Sequence, residues 1–138
     1  MWEPDGSLRD IYFPRTELAD WQQFVEVART HAAKYTFDGQ HEEMPPVAQV
    51  LADRTGSHLL SFSVEGVLVN CHFFGPEEIE LDVEPKDVKE ERQHVAMLRF
   101  IANLAIAIGK QALVTPENDP DAPYLTFNPH SRTWSVDG

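Results

Sequence analysis

Apolar and polar positions alternate most strictly in the middle of the chain. Over residues 78–84, Ile79, Leu81 and Val83 fall on one side and Glu78, Glu80, Asp82 and Glu84 on the other, the period of two expected of a half-buried strand. Just before it, the runs 59–64 and 67–74 flank Glu65-Gly66, a two-residue spacing that suits a tight hairpin. Such a turn sets Val64 opposite Val67, Phe62 opposite Val69 and Leu60 opposite Cys71. One face then carries Leu60, Phe62, Val64, Val67, Val69, Cys71 and Phe73, apolar throughout. The other carries Leu59, Ser61, Ser63, Leu68, Asn70, His72 and Phe74 and is mixed. A slip of one residue would scramble this division, so the pattern supports the register. The three strands are expected to form an antiparallel meander with its apolar side on helices and its acidic side in water.

Helical periodicity flanks this centre. Leu18, Trp21, Val25, Ala28 and Ala32, widened by Phe24, predict a buried stripe on a helix over 17–34. Thr16 would cap it, with Glu17 and Asp20 in the first turn, where the helix dipole favours acids. Asp87 and Glu90 mark the start of a second long helix that runs to Ile108 and stops at Gly109-Lys110. Its second half is apolar almost all round, as expected of a helix packed between the sheet and another element. Shorter elements complete the chain: a strand over 8–13 ending at Pro14, a short strand over 35–38, and a polar run over 39–43. A short helix follows from Pro45-Pro46 to Ala52, and Gly56 is read as its stop. A strand over 113–115 precedes a Pro- and Asp-rich loop to Pro123, and strands over 124–127 and 132–136 form a closing hairpin. The order β-α-β-α-β-β-β-α-β-β-β predicts a single α+β domain. Its antiparallel sheet has the three-stranded meander at its centre and packs against two longer helices.

Size and composition fit this picture. A chain of 138 residues with 42% apolar positions is long enough to bury about two thirds of its surface in one core. The single cysteine, Cys71, has no partner for an internal disulfide, as in a reducing compartment. Residues 1–6 lack the basic start and apolar core of a signal peptide. The apolar run 95–108 is too short to cross a bilayer and is interrupted by Arg99 and Asn103, which are expected to satisfy buried partners. The expectation is a cytoplasmic protein with no membrane contact. The net charge of −12, from 23 acidic and 11 basic residues, repels phosphate backbones and argues against nucleic acid. It would speed encounter with a basic partner, although solubility alone also accounts for it.

Motifs for chemistry are few. No glycine-rich turn, Gly-x-Ser-x-Gly elbow or zinc-type spacing occurs, so no cofactor, metal ligand or catalytic residue is assigned. Cys71 and His72 are adjacent on a strand and point to opposite faces, so the imidazole cannot activate that thiol. Cys71 is expected in the core. His72 lies on the mixed face near Asn70, with Glu80 or Asp82 on the next strand. It reads either as a hydrogen-bonded sheet histidine with a raised pKa or as part of an acid–base or metal site. Residues 77–91 hold eight of the 23 acids, offset by Lys86 and Lys89. They read as a solvated face or as a negative platform for a basic protein, with Phe74 or Trp134 as an anchor at its edge. The partner-binding candidates are therefore Asn70, His72, Phe74, Glu78, Glu80, Asp82 and Glu84. The acidic turn over 116–121 reads as a structured connector more readily than as a cation loop.

Residues 68–74, Leu-Val-Asn-Cys-His-Phe-Phe, and 78–82, Glu-Ile-Glu-Leu-Asp, together with the run 113–118, resemble small uncharacterised acidic bacterial proteins of the polymorphic-toxin immunity type. The resemblance spans the second half of the chain. It implies a non-enzymatic binding protein whose partner is a basic toxin domain, and it brings no catalytic residues. Two rival readings are a cryptic enzyme or small-ligand or metal-binding protein using the face around His72, and a domain that self-associates through Leu68 and Phe74. The oligomeric state stays open between them.

Overall fold

A computed structural model describes residues 1–136. Its strands are β1 (Arg9–Pro14), β2 (Lys34–Phe37), β3 (Gln40–His41), β4 (His58–Val64), β5 (Val67–His72), β6 (Glu78–Val83), β7 (Ala112–Pro116), β8 (Leu125–Asn128) and β9 (Thr133–Val136). The helices are α1 (Leu18–Arg29), α2 (Val47–Ala52) and α3 (Glu91–Ile108). All nine strands join one sheet in the order β3-β2-β4-β5-β6-β1-β7-β8-β9, antiparallel at every step. This is the α+β class that the pattern predicts.

The meander β4-β5-β6 has the expected register, with Val64 opposite Val67, Phe62 opposite Val69 and Leu60 opposite Cys71. Its turn needs positive φ at both central residues, 50° at Glu65 and 81° at Gly66, the geometry that matches the twist of a two-residue hairpin. Leu60, Phe62, Val64, Val67, Val69, Cys71, Ile79, Leu81 and Val83 are all buried under the helices. Cys71 is fully buried, and burial pushes its thiol well above the usual range, so it behaves as a small hydrophobe.

Helix α1 departs from expectation at both ends. It starts at Leu18, and Asp20 accepts a hydrogen bond from the Glu17 N–H at 2.9 Å. Thr16 instead donates its hydroxyl to the Pro76 carbonyl at 2.7 Å. The helix ends at Arg29, and Ala32 turns back with φ 55°. Leu18 and Ala32 are therefore exposed, while Trp21, Phe24, Val25 and Ala28 form the buried stripe. Helix α3 begins at Glu91 with Glu90 as its cap, and Asp87 lies in a single 3-10 turn before it. Gly109 ends it in the left-handed region at φ 69°. The ion pair of Lys110, just past α3, with Asp20 at the start of α1 (3.2 Å) shows that the two long helices run antiparallel.

One strand lies outside the predicted order. Gln40–His41 forms an extra strand at the sheet edge, where the pattern shows only a polar run. Helix α2 ends at Ala52, as the pattern predicts, with Asp53 rather than Gly56 at its C-terminal cap. Below α3, Arg9 is 1% exposed although charged. Residues 1–7 wrap around it: its guanidinium donates to the Met1 carbonyl (2.6 Å), the Glu3 carbonyl (3.0 Å) and the Ser7 hydroxyl (3.0 Å), and pairs with Asp5 at 3.3 Å. Trp2 Nε1 donates to His94 Nδ1 at 2.8 Å and ties the same segment to α3.

Leu81 is fully buried at the centre of the sheet, between Cys71 and Ile11. Leu81→Ala should leave a cavity there and lower the unfolding free energy by about 2–5 kcal/mol, measured by urea denaturation.

Candidate functional site

The three helices cover one face of the sheet, and the other face carries the mixed side of the meander. Because β1 pairs with β6 and with β7, that face continues past the acidic strand. Register places Ser61, Asn70, Asp82, Asp10 and Thr115 side by side across five strands. A second row runs Leu59, His72, Glu80, Tyr12 and Leu113.

Hydrogen bonds link the two rows. Ser61 donates to Asn70 Oδ1 at 2.8 Å, and Asn70 Nδ2 donates to Asp82 Oδ1 at 3.1 Å. The second Asp82 oxygen lies 2.6 Å from His72 Nε2. On the next strand, Asp10 Oδ2 accepts from the Tyr12 hydroxyl at 3.1 Å and from the Asn118 N–H at 2.7 Å. Glu117 also accepts from the Leu8 N–H at 2.6 Å. The acidic turn after β7 is thereby folded back over β1, as a connector bonded to its neighbour strand. Among the described residues no buried side-chain nitrogen or oxygen lacks a partner.

This arrangement corrects several expectations. Asp82 is not in water: it is 7% exposed, and Asp10 beside it is 3% exposed. Glu84 lies beyond the end of β6 and caps the 3-10 turn, with Lys86 N–H donating to its carboxylate at 3.4 Å. Trp134 is remote from the acids. It sits on the edge strand β9 opposite Phe127, with ring centroids 5.1 Å apart, on the helix-bearing side. Asn70, His72, Glu78 and Glu80 do share the open face, and Phe74 stacks on the His72 ring at 5.5 Å and 12° while staying exposed. Leu68 is exposed on the same strand as His72. Arg99 and Asn103 are exposed and bonded to no buried partner among the described residues.

The electrostatics follow from crowding. The hydrogen bond to Asp82 raises the His72 pKa, reinforced by Glu80 and Asp10, against the opposing effect of burial. Burial, then the neighbouring carboxylates, raise Glu80 and Glu78. Asp10 is raised chiefly by burial, against its two hydrogen bonds. Burial, with Glu80 and Asp10 alongside, pushes the Tyr12 phenol far above its ordinary range. Asp10 and Tyr12 escape sequence reasoning because their place beside β6 depends on a pairing about seventy residues away, which local alternation does not record.

A second group also escaped it. Tyr35 hydroxyl lies 2.5 Å from His58 Nδ1, and His58 Nε2 lies 2.9 Å from Asp53 Oδ2. The histidine is buried on the helix side, so this chain fastens the end of α2 to β2 and β4. Among the described residues no three His, Cys, Asp or Glu side chains are grouped to hold a metal ion. The chain matches no protein-family model, no curated protein and no solved structure.

The His72–Asp82 pair gives a titration with a definite sign. A histidine whose folded pKa is raised contributes stability below its unfolded pKa of 6.5 and loses it as pH rises through the folded value. Histidine proton resonances followed by NMR should show His72 titrating above 6.5 in the native protein. Asp82→Asn should bring that midpoint down, and an unchanged midpoint would assign the shift to other groups.

Proposed function

We propose that this protein is a non-enzymatic binding domain that offers the acidic centre of its open sheet face to a basic protein partner. It would act in the manner of an immunity protein that neutralises a toxin. The observation that carries the reading is a group of carboxylates on two neighbouring strands: Glu78, exposed, and Glu80, half-buried, on β6, backed by the buried Asp82 on β6 and Asp10 on β1. Among the described residues none of the four pairs with a lysine or arginine, and His72 is the one cation-forming group bonded to them. Like charges packed this closely repel one another, and a Lys or Arg brought by a partner would relieve that repulsion. The exposed Phe74, at 66%, adds an aromatic side chain beside the charge that a partner can bury as an anchor.

A second reading, acid–base chemistry or small-ligand binding at His72, draws on the Ser61–Asn70–Asp82–His72 chain, which holds the imidazole in place and favours its protonated form. It requires a substrate to reach the ring edge left open by Phe74. Phe74→Ala separates the two readings: it should weaken partner binding and leave an acid–base pair intact.

The test is affinity capture from host-cell lysate with the purified protein, at low and high salt. It should use the native chain, a Phe74→Ala/Glu78→Gln/Glu80→Gln variant, and a Glu42→Gln/Glu43→Gln control that changes the net charge equally just past β3 at the remote sheet edge. A basic partner should be retained by native protein and control, released as salt shortens the screening length from about 10 Å toward 3 Å, and bound at least about tenfold more weakly by the face variant. Equal binding by the face variant and the control, or no partner at either salt, would overturn the reading.

A further inference from the structure

The helix-bearing side holds a cleft of about 410 Å³ between the C-terminal end of α1 and the middle of α3. Val27, Val64, Phe100 and Leu104 give it an apolar lining. Polar groups reach it from three elements: His31 just past α1, Glu65 in the β4–β5 turn, and Arg99 with Asn103 on α3. Arg99 and Asn103 are one helical turn apart, so guanidinium and amide project from the same side of α3. Phe100 and Leu104, each next in sequence, are the buried residues beneath them.

The donors are unspent. Among the described residues the side chains of Arg99, Asn103 and His31 make no hydrogen bond or ion pair. The His31 ring is nevertheless held in place, with its centroid 5.8 Å from Phe62 and 5.3 Å from Phe100, the latter edge-on. Glu65, the one acid in the lining, is exposed at the mouth and faces Arg92 at 3.9 Å, a guanidinium it shares with Glu90. A guanidinium with a free fork, a neighbouring amide and an apolar floor are together complementary to a carboxylate attached to a hydrocarbon or aromatic body.

We infer that this cleft is a binding site for a small monocarboxylate with an apolar body, its carboxylate on Arg99 and Asn103 and its body over Val64, Phe100 and Leu104. Occupancy by an anion would run against the overall charge of −12, so it must come from these local donors. The site lies on the opposite side of the sheet from the acidic face and does not depend on the proposed partner.

The test is a titration with 3-phenylpropionate and, separately, its neutral amide, followed by amide NMR of the native protein, Arg99→Gln and the charge-matched control Lys86→Gln. Arg99 is exposed, so its variant should fold, which thermal melting checks. The acid should shift the resonances of Val27, His31, Ala96 and Leu104 and bind at least tenfold more tightly than the amide. Arg99→Gln should abolish that preference, while Lys86→Gln should keep it. Equal binding of acid and amide, shifts centred elsewhere, no binding of either, or an unaltered preference in Arg99→Gln would each overturn the assignment.

Discussion

Strand β1 joins two half-sheets that have no other connection through strand pairing. It pairs with β6 on one side and β7 on the other, so without it β3-β2-β4-β5-β6 and β7-β8-β9 would be separate. Both pairings span long stretches of chain, and such contacts repay their loop-closure entropy only once the intervening elements are in place. The strand is equipped for this position on both faces. Ile11 and Phe13 are fully buried beneath the helices, and Arg9 draws residues 1–7 around the end of the sheet. On the other face Asp10 and Tyr12 complete the polar rows that begin on β4 and β5. The acidic centre of the open face is therefore a consequence of where β1 inserts.

That dependence marks the boundary of what the chain reveals locally. The meander was legible because Glu65-Gly66 fixes a two-residue turn and every apolar residue of three strands then falls on one side. The C-terminal end of α3 was legible from Gly109, which acts within a single turn of helix, whereas its start was read too early because Asp87 belongs to a separate 3-10 turn and Glu90 is the cap. Periodicity failed where it extended past the support of the sheet: Leu18 and Ala32 keep the spacing of the buried stripe but lie beyond its covered length. Strand β3 escaped notice because Gln40 and His41 are both exposed and bury nothing. Alternation assigned Asp82 to the correct face, but it does not report what lies over that face. The grouping of Asp82 with Asp10, like the Tyr35–His58–Asp53 chain and the clasp around Arg9, is set by topology. So is the placement of Trp134 on the far edge strand, where a count along the chain gives no distance.

The manner in which the acids are held bears on whether they serve solubility alone. Surface carboxylates that only solubilise a protein sit on loops and rims, where water screens them and they cost little. Here Asp10 and Asp82 face each other directly across two strands, an arrangement that destabilises a sheet when the charges are alike. The fold offsets the cost with donors: the Tyr12 hydroxyl and the Asn118 N–H for Asp10, the Asn70 amide and His72 for Asp82. These bonds orient both carboxylates and leave Glu80, half-buried between them and the exposed Glu78, without a cation of its own among the described residues. A preorganised negative site of this kind lowers the cost of ordering side chains when a cation arrives. Across the sheet, Arg99 stands without a hydrogen bond or ion pair among the described residues, over the apolar floor of the cleft between α1 and α3. The acidic group and the cleft lie on opposite faces of the sheet and share no residue, so substitutions can address one without removing a group of the other.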